Sequence, residues 1–392
     1  MKSNEHVMRF APFVFFSLIG FCCLGQSLAS LNLNYWYDPN AELEFIISPV
    51  KLGSEVKVYY QIITNRKENP VATYSIAWEN RASLADKTGT QVVSKDSVLS
   101  MSASSRIGYL SFLATSKLWY ITAKVTNLTT QEVFHFYKPI DPQWPVNNLI
   151  AVDGGPWLKD YVASGTRVSI DMPSNKNTYV FQYKTNFATA LPPFAESGRT
   201  DPFLAADSVF LLNDSFIPKT AGLYLLQDDT TSIHGVSILV AERNYPKYGQ
   251  VSSLAGPLVY ICTDEEFSQL AAAKSDKAAF DKVILEITRD KERAKNLMRS
   301  YFQRVEMANR YFTEYKPGWK TDRGMIYIIY GKPDELSRTA TDEVWFYRNQ
   351  RTKFVFNKSG SVFCPENYKL QRDNNYTQEW FSFVDLWRKS RF

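Results

Sequence analysis

Three acids near the C-terminus, Asp322, Asp334 and Glu335, are the side chains of this sequence best placed to do chemistry. Two carboxylates facing one another across a cleft can share the acid and base work of glycoside hydrolysis. The competing reading is structural. Asp322 stands between Thr321 and Arg323 at a chain turn, where a carboxylate accepts backbone N–H groups or pairs with a guanidinium; Asp334 follows Pro333 in another turn. Other groups offer less. His135 and His234 lie in or beside strand-like stretches with no acid next to them, so a Ser-His-Asp or Cys-His arrangement lacks its parts. Cys262 and Cys364 do not have the spacing of a metal pair. There is no P-loop, and Gly154-Gly155-Pro156 reads as a turn. The sequence therefore predicts no catalytic residue, no cofactor and no metal site.

The acids flank residues 324–330, a nearly continuous apolar run bounded by Gly331 and Pro333. Such a run predicts a strand buried on both faces. Upstream the periodicity is helical. Thr263-Asp264-Glu265-Glu266 forms a capping box, then Phe280, Val283, Ile284 and Ile287 share one face, as do Met298, Phe302, Val305, Asn309 and Phe312. The charges at 289–295 read as a solvated face, and Pro317-Gly318 ends the helix. An Arg304, Ala308, Phe312 ridge at a spacing of four would let Arg304 reach back toward an acid such as Asp322. Downstream, 343–348 and 353–357 read as strands around a turn, and 379–388 as a terminal helix resting on Phe381, Val384 and Leu386 or Trp387.

Ahead of this region the pattern is β. Val56, Val58, Tyr60 and Ile62 alternate with their neighbours at the period of a half-buried strand, and 43–47, 74–78, 106–113, 118–125 and 132–137 are further candidates. Asp141-Pro142-Gln143-Trp144-Pro145 reads as a linker. A second block follows with strands at 168–170, 178–183, 209–212, 222–227 and 235–240, and its least regular part is the loop 185–202. The fold class expected is mixed: two immunoglobulin-like antiparallel β-sandwiches (30–140 and 141–245), a linker and helical segment (246–316), and a small α+β domain (317–392).

With 392 residues, 45% apolar and 15% aromatic, the chain is long enough for two or three cores. Residues 1–29 read as a secretory signal: Lys2 and Arg9 precede an apolar stretch, and Ser27-Leu28-Ala29 fits a cleavage site before Ser30. Lipidation at Cys22 or Cys23 is the competing reading, although Phe21 is bulky for that role. The apolar stretch falls short of the roughly 20 residues that a spanning helix needs, so no transmembrane span is expected in the mature chain. Removing 1–29 takes away two cations and one anion and leaves a mild positive charge. Basic residues are scattered, which argues against a nucleic-acid partner. In an oxidising compartment Cys262 and Cys364 could form one disulfide or remain separate thiols.

One long ordered set of residues is particular. It runs Arg304-Val305, Ala308-Asn309 and Phe312, then Gly318-Trp319-Lys320-Thr321-Asp322-Arg323-Gly324, Tyr327, Tyr330-Gly331 and Pro333-Asp334-Glu335, and ends with Val344-Trp345, Tyr347, Phe354 and Phe356. This resembles the GWxTD domain, a family known mainly from exported envelope proteins of the Bacteroidetes and their relatives. Upstream the chain departs from the family pattern: 283–289 reads Val-Ile-Leu-Glu-Ile-Thr-Arg where similar proteins carry Phe-Trp and Arg-Asp-Pro elements. The family has no established chemistry. Gly331-x-Pro333, Trp345-x-Tyr347 and Phe354-x-Phe356 are also similar to the small outer-membrane lipoprotein of the β-barrel assembly machine. The resemblance implies an exported, non-catalytic scaffold or recognition protein, periplasmic or outer-membrane associated, whose partners are envelope or outer-membrane proteins. The motif residues Arg304, Asn309, Trp319, Thr321, Asp322, Arg323, Gly324, Gly331, Pro333, Asp334 and Trp345 then read as a structural joint. A binding surface made of Trp319, Arg323 and Tyr327 is the rival, and a glycan- or peptidoglycan-acting module using the three acids and exposed aromatics is the alternative function.

Overall fold

A computed structural model describes residues 26–391, apart from 66–67, 93, 143–145, 147–148, 172–177, 185, 197–203, 213 and 232–233. Most of the expected leader, with Cys22 and Cys23, and residues 143–145 of the expected linker lie outside the described residues.

The first β unit has eight strands: β1 (Leu43–Leu52), β2 (Glu55–Thr64), β3 (Tyr74–Arg81), β4 (Thr90–Gln91), β5 (Ser97–Met101), β6 (Ser105–Leu113), β7 (Trp119–Asn127) and β8 (Val133–Ile140). They pair as β1-β2-β6-β5 and β4-β3-β7-β8, the two antiparallel sheets of an immunoglobulin-like sandwich. Val58, Tyr60 and Ile62 of β2 meet Ile121, Ala123 and Val125 of β7 in one apolar core, because alternate side chains of each strand face inward.

The second unit holds β9 (Leu149–Val152), β10 (Gly155–Pro156), β11 (Tyr161–Ala163), β12 (Val168–Asp171), β13 (Thr178–Tyr183), β14 (Ser208–Leu212), β15 (Ser215–Phe216), β16 (Gly222–Gln227) and β17 (Val236–Ala241). Its sheets are β10-β9-β12-β15 and β11-β17-β16-β13-β14, with β11 parallel to β17. Within these two units the sequence reading missed β4, β5, β9, β10, β11 and β15, all of five residues or fewer and with little alternation to display.

The remainder is α+β. After the short α1 (Val251–Leu254) come α2 (Asp264–Ala273), α3 (Lys277–Thr288), α4 (Lys291–Phe312) and α5 (Asp322–Tyr330). A four-stranded antiparallel sheet follows, β18 (Glu335–Arg338), β19 (Asp342–Tyr347), β20 (Thr352–Lys358) and β21 (Tyr368–Leu370), and α6 (Thr377–Arg388) closes the chain. Helices and sheet share one hydrophobic core, which also takes in Leu28, Leu33 and Tyr37 from the N-terminal end.

Two expectations are corrected here. The apolar run at 324–330 is a helix, buried from Arg323 to Tyr330. A short apolar run suits a buried strand or a buried helix equally well, and the capping decides: the Thr321 side chain accepts from Gly324 N–H, and Gly331, at φ +87°, breaks the helix at its other end. In α6 Trp380 and Trp387 are buried and Phe383 and the expected Val384 pack beside them, whereas Phe381 and Leu386 face solvent. No helix of the described residues is long and apolar enough to cross a membrane.

If α5 sits inside the core, trimming Ile328 leaves a cavity with no route to collapse. Ile328→Ala should cost about 3 kcal/mol in chemical denaturation; a loss below about 1 kcal/mol would place the side chain at a surface.

Candidate functional site

The motif residues gather around α5 in three groups. The first surrounds its N-terminus. Gly318 lies so close to α4 that a Cβ there would stand 2.0 Å from the Ala308 carbonyl oxygen, and a Cβ on Gly324 would stand 1.9 Å from the Gly318 oxygen. Only glycine permits backbones to approach so nearly. Trp319 fills the space beside them. Its indole N–H donates to Tyr248 (2.8 Å), its backbone N–H to Asn309 Oδ1 (3.0 Å), and its carbonyl accepts from Tyr260 (2.8 Å). Asn309, fully buried, donates in turn to the Pro246 carbonyl (2.9 Å). Thr321 caps α5 and donates to the Gly318 oxygen (2.8 Å).

Asp322 belongs to the same end of the helix. Its carboxylate accepts from Leu370 N–H of β21 (2.8 Å) and pairs with Arg372 (2.6 Å). A carboxylate in the first turn also complements the helix dipole. The sequence reading assigned Asp322 to Arg304 or Arg323; both were wrong partners. Arg372 could not be chosen from sequence because it lies 50 residues away.

The second group is a buried cluster of charges. Arg323 pairs with Glu314 (2.6 Å) and Glu343 (3.3 Å), and its guanidinium lies over the rings of Tyr368 (4.5 Å) and Phe312 (5.3 Å). Glu343, fully buried, also accepts from Arg338 (2.5 Å), Tyr37 (3.1 Å) and the Trp345 indole (2.7 Å). Burial works to raise the Glu343 carboxyl, but Arg338 and Arg323 outweigh it and hold it below the usual range. Glu314 differs. Burial pushes it up to about 7 against the pull of Arg323; among the described residues its Oε2 has no hydrogen-bond partner.

The third group closes the C-terminal end of α5. Arg304 donates to the Tyr327 carbonyl (3.3 Å), lies over Trp387 (5.6 Å) and packs on Gly331, where a Cβ would meet its guanidinium at 2.4 Å. A cation there suits the negative end of the dipole. Trp387 donates to the Ile329 carbonyl (3.0 Å) and Tyr347 to that of Gly331 (2.7 Å).

The other candidates stand apart. Pro333 is buried at the start of the β18 hairpin; Asp334 accepts from Arg348 N–H (2.8 Å), and Glu335 pairs with Arg348 (2.9 Å) at the surface. Cys262 and Cys364 are separate thiols rather than a disulfide, and burial raises both above the usual thiol range. Trp319, Arg323 and Tyr327 are all buried, so they form no exposed binding surface. Among the described residues no group of His, Cys, Asp or Glu is arranged to hold a metal.

Residues 222–389 match the model of the GWxTD domain family. This chain is a GWxTD domain-containing protein. No curated protein matches it. The match begins at β16 and runs past the end of α6, so the motif residues of all three groups lie inside it.

Several residues that build this GWxTD domain's joint were missed from sequence. Tyr37 lies 306 residues from Glu343 and gave no signal. The loop expected to be least regular docks on the motif: Ala190 N–H donates to the Lys320 carbonyl (2.9 Å), and Lys320 and Lys316 donate to the Phe187 and Ala188 carbonyls (3.0 Å each). Glu343 could have been found, since alternation places it on the same strand face as Trp345 and Tyr347.

Two outcomes follow from the GWxTD geometry. Gly324→Ala should destabilise the protein by roughly 3 kcal/mol or prevent folding, because the clash is with backbone; unchanged denaturation would refute the close approach. Glu314 binds its proton more tightly folded than unfolded, so its contribution is whole below its ordinary range and is lost as the pH climbs through 7. The thermal midpoint of Glu314→Gln relative to the wild type should therefore rise between about pH 5 and about pH 8.

Proposed function

We propose that this protein is a non-catalytic scaffold or recognition protein of the bacterial cell envelope, exported, and serving secretion or outer-membrane protein assembly. The observation that carries the recognition role is a pair of open sheet edges. Among the described residues β5 and β14 each pair on one side only, and neither contains a charged residue or a proline. Val98, Leu99 and Met101 on β5, and Val209, Phe210 and Leu211 on β14, are exposed. Open apolar edges are templates for strand addition, which unfolded β-rich clients supply; β14 is the more regular of the two, since β5 shifts register between Val98 and Ser100. The acids support this reading rather than catalysis, since Asp322 is held by Arg372 and Leu370, and Asp334 and Glu335 by Arg348.

The second reading is a glycan- or peptidoglycan-acting module. What favours it is a shallow, open depression on the first sandwich, bordered by Asn80, Gln91, Ser94, Lys95, Ser111 and Phe112. Amides, hydroxyls and an aromatic ring suit a sugar.

Affinity purification from cell envelopes, with identification of co-purified proteins, separates the two. Outer-membrane barrel proteins should come along, and Leu211→Lys should reduce their recovery several-fold without lowering the thermal midpoint. Recovery of the protein alone, with hydrolysis of peptidoglycan that disappears in Gln91→Ala at an unchanged thermal midpoint, would overturn the scaffold reading.

A further inference from the structure

The segment from Ser27 to Tyr37 is a strap built into the α+β domain, although it lies far outside the matched stretch. Two short 3-10 turns, Leu28–Ser30 and Asn34–Tyr37, present Leu28, Leu33 and Tyr37 to the common core, and the two leucines are completely buried. The backbone is tied as firmly. Ser27 Oγ and Ala29 N–H both donate to the Leu84 carbonyl (3.0 Å each), and the Gln26 carbonyl accepts from Arg81 (3.3 Å). Asn32 pairs with the backbone of β18 at both ends of its amide, taking Leu336 N–H (3.0 Å) and giving to the Asp334 carbonyl (3.0 Å). Leu33 N–H then donates to the Leu336 carbonyl (2.7 Å), Tyr327 to that of Tyr37 (3.0 Å), and Lys332 pairs with Asp38 (2.7 Å).

We infer that the signal is cut upstream of Ser27 and that the exported protein keeps the whole strap. This rests on the reading that the protein is exported. A cut before Ser30, the site that the small residues Ser27 and Ala29 suggest, would remove Leu28 from the core and abolish both bonds to Leu84. A buried leucine lost with its surroundings fixed leaves a cavity that the structure cannot fill. The sequence offers another bond that meets the same rule: Cys23 and Gly25 are small residues at the third and first positions before Gln26. Cutting there leaves every strap contact in place.

The test is intact-mass and N-terminal analysis of the protein recovered from envelope fractions of cells expressing the full chain. A first residue at or before Ser27, Gln26 or a lipid-bearing Cys22 or Cys23 included, is the expected result. A first residue beyond Ser27 would overturn the inference and leave the export reading standing. Retention of Met1 in a cytosolic protein would overturn both. A second measurement uses Leu28→Ala in the same full chain. With the strap retained, the thermal midpoint of the recovered protein should fall by roughly 5 °C; with Leu28 removed on export, wild type and variant would have equal midpoints.

Discussion

A nine-residue helix buried on every side must satisfy its own ends without water, and the α+β domain is organised around that requirement. At the N-terminus Thr321 takes a free N–H and Asp322 supplies charge; at the C-terminus Arg304, Trp387 and Tyr347 take the carbonyls. These partners come from α4, α6, β19 and the segment after β21, so one short helix fixes the positions of most elements near it. The motif glycines serve the same end. Gly318 lets the turn before α5 lie against the backbone of α4, Gly324 lets α5 lie against that turn, and Gly331 leaves the helix in a conformation that a side chain would resist.

Burying a helix that carries an arginine creates a second problem. Arg323 must be neutralised away from water, and an unpaired buried cation would cost several kcal/mol. Two glutamates share it, Arg338 balances the excess, and aromatic faces of Phe312, Tyr368 and Trp36 cover the two guanidinium groups. The hydroxyl that completes this cluster belongs to Tyr37, at the end of the strap. The sandwiches join the same body: Tyr120 and Tyr137 of the first enter the shared core, and Tyr183, Leu223 and Leu225 of the second pack on Tyr315, Val362 and Phe363. The order of sequence elements thus conceals how interdependent they are.

Much of the architecture was legible because its signals are local. Alternation revealed the long strands, the Thr263 capping box appeared as written, and the apolar faces of α3 and α4 point inward where a period of 3.6 places them. Legibility failed where local signals are ambiguous or where partners are distant. Residues 324–330 have no periodicity to separate strand from helix, since every side chain is apolar or glycine and every one is buried. Arg304 was assigned to the wrong end of α5 because the direction of the following segment was unknown. Asp322 needed Arg372, which only the fold brings near.

By itself the sequence determined the β-rich first half, the helical stretch after Thr263, its end at Pro317-Gly318, and the poverty of histidines and cysteines with catalytic spacing. Those follow from side-chain type and spacing within a few residues, which act through bonded geometry and nearest neighbours. The tertiary structure decided that the apolar run is a helix, which charges pair, that both cysteines stay apart, and that a strap 300 residues upstream closes the core. Such outcomes depend on burial and on contacts between distant segments, whose energies exist only once the chain has folded.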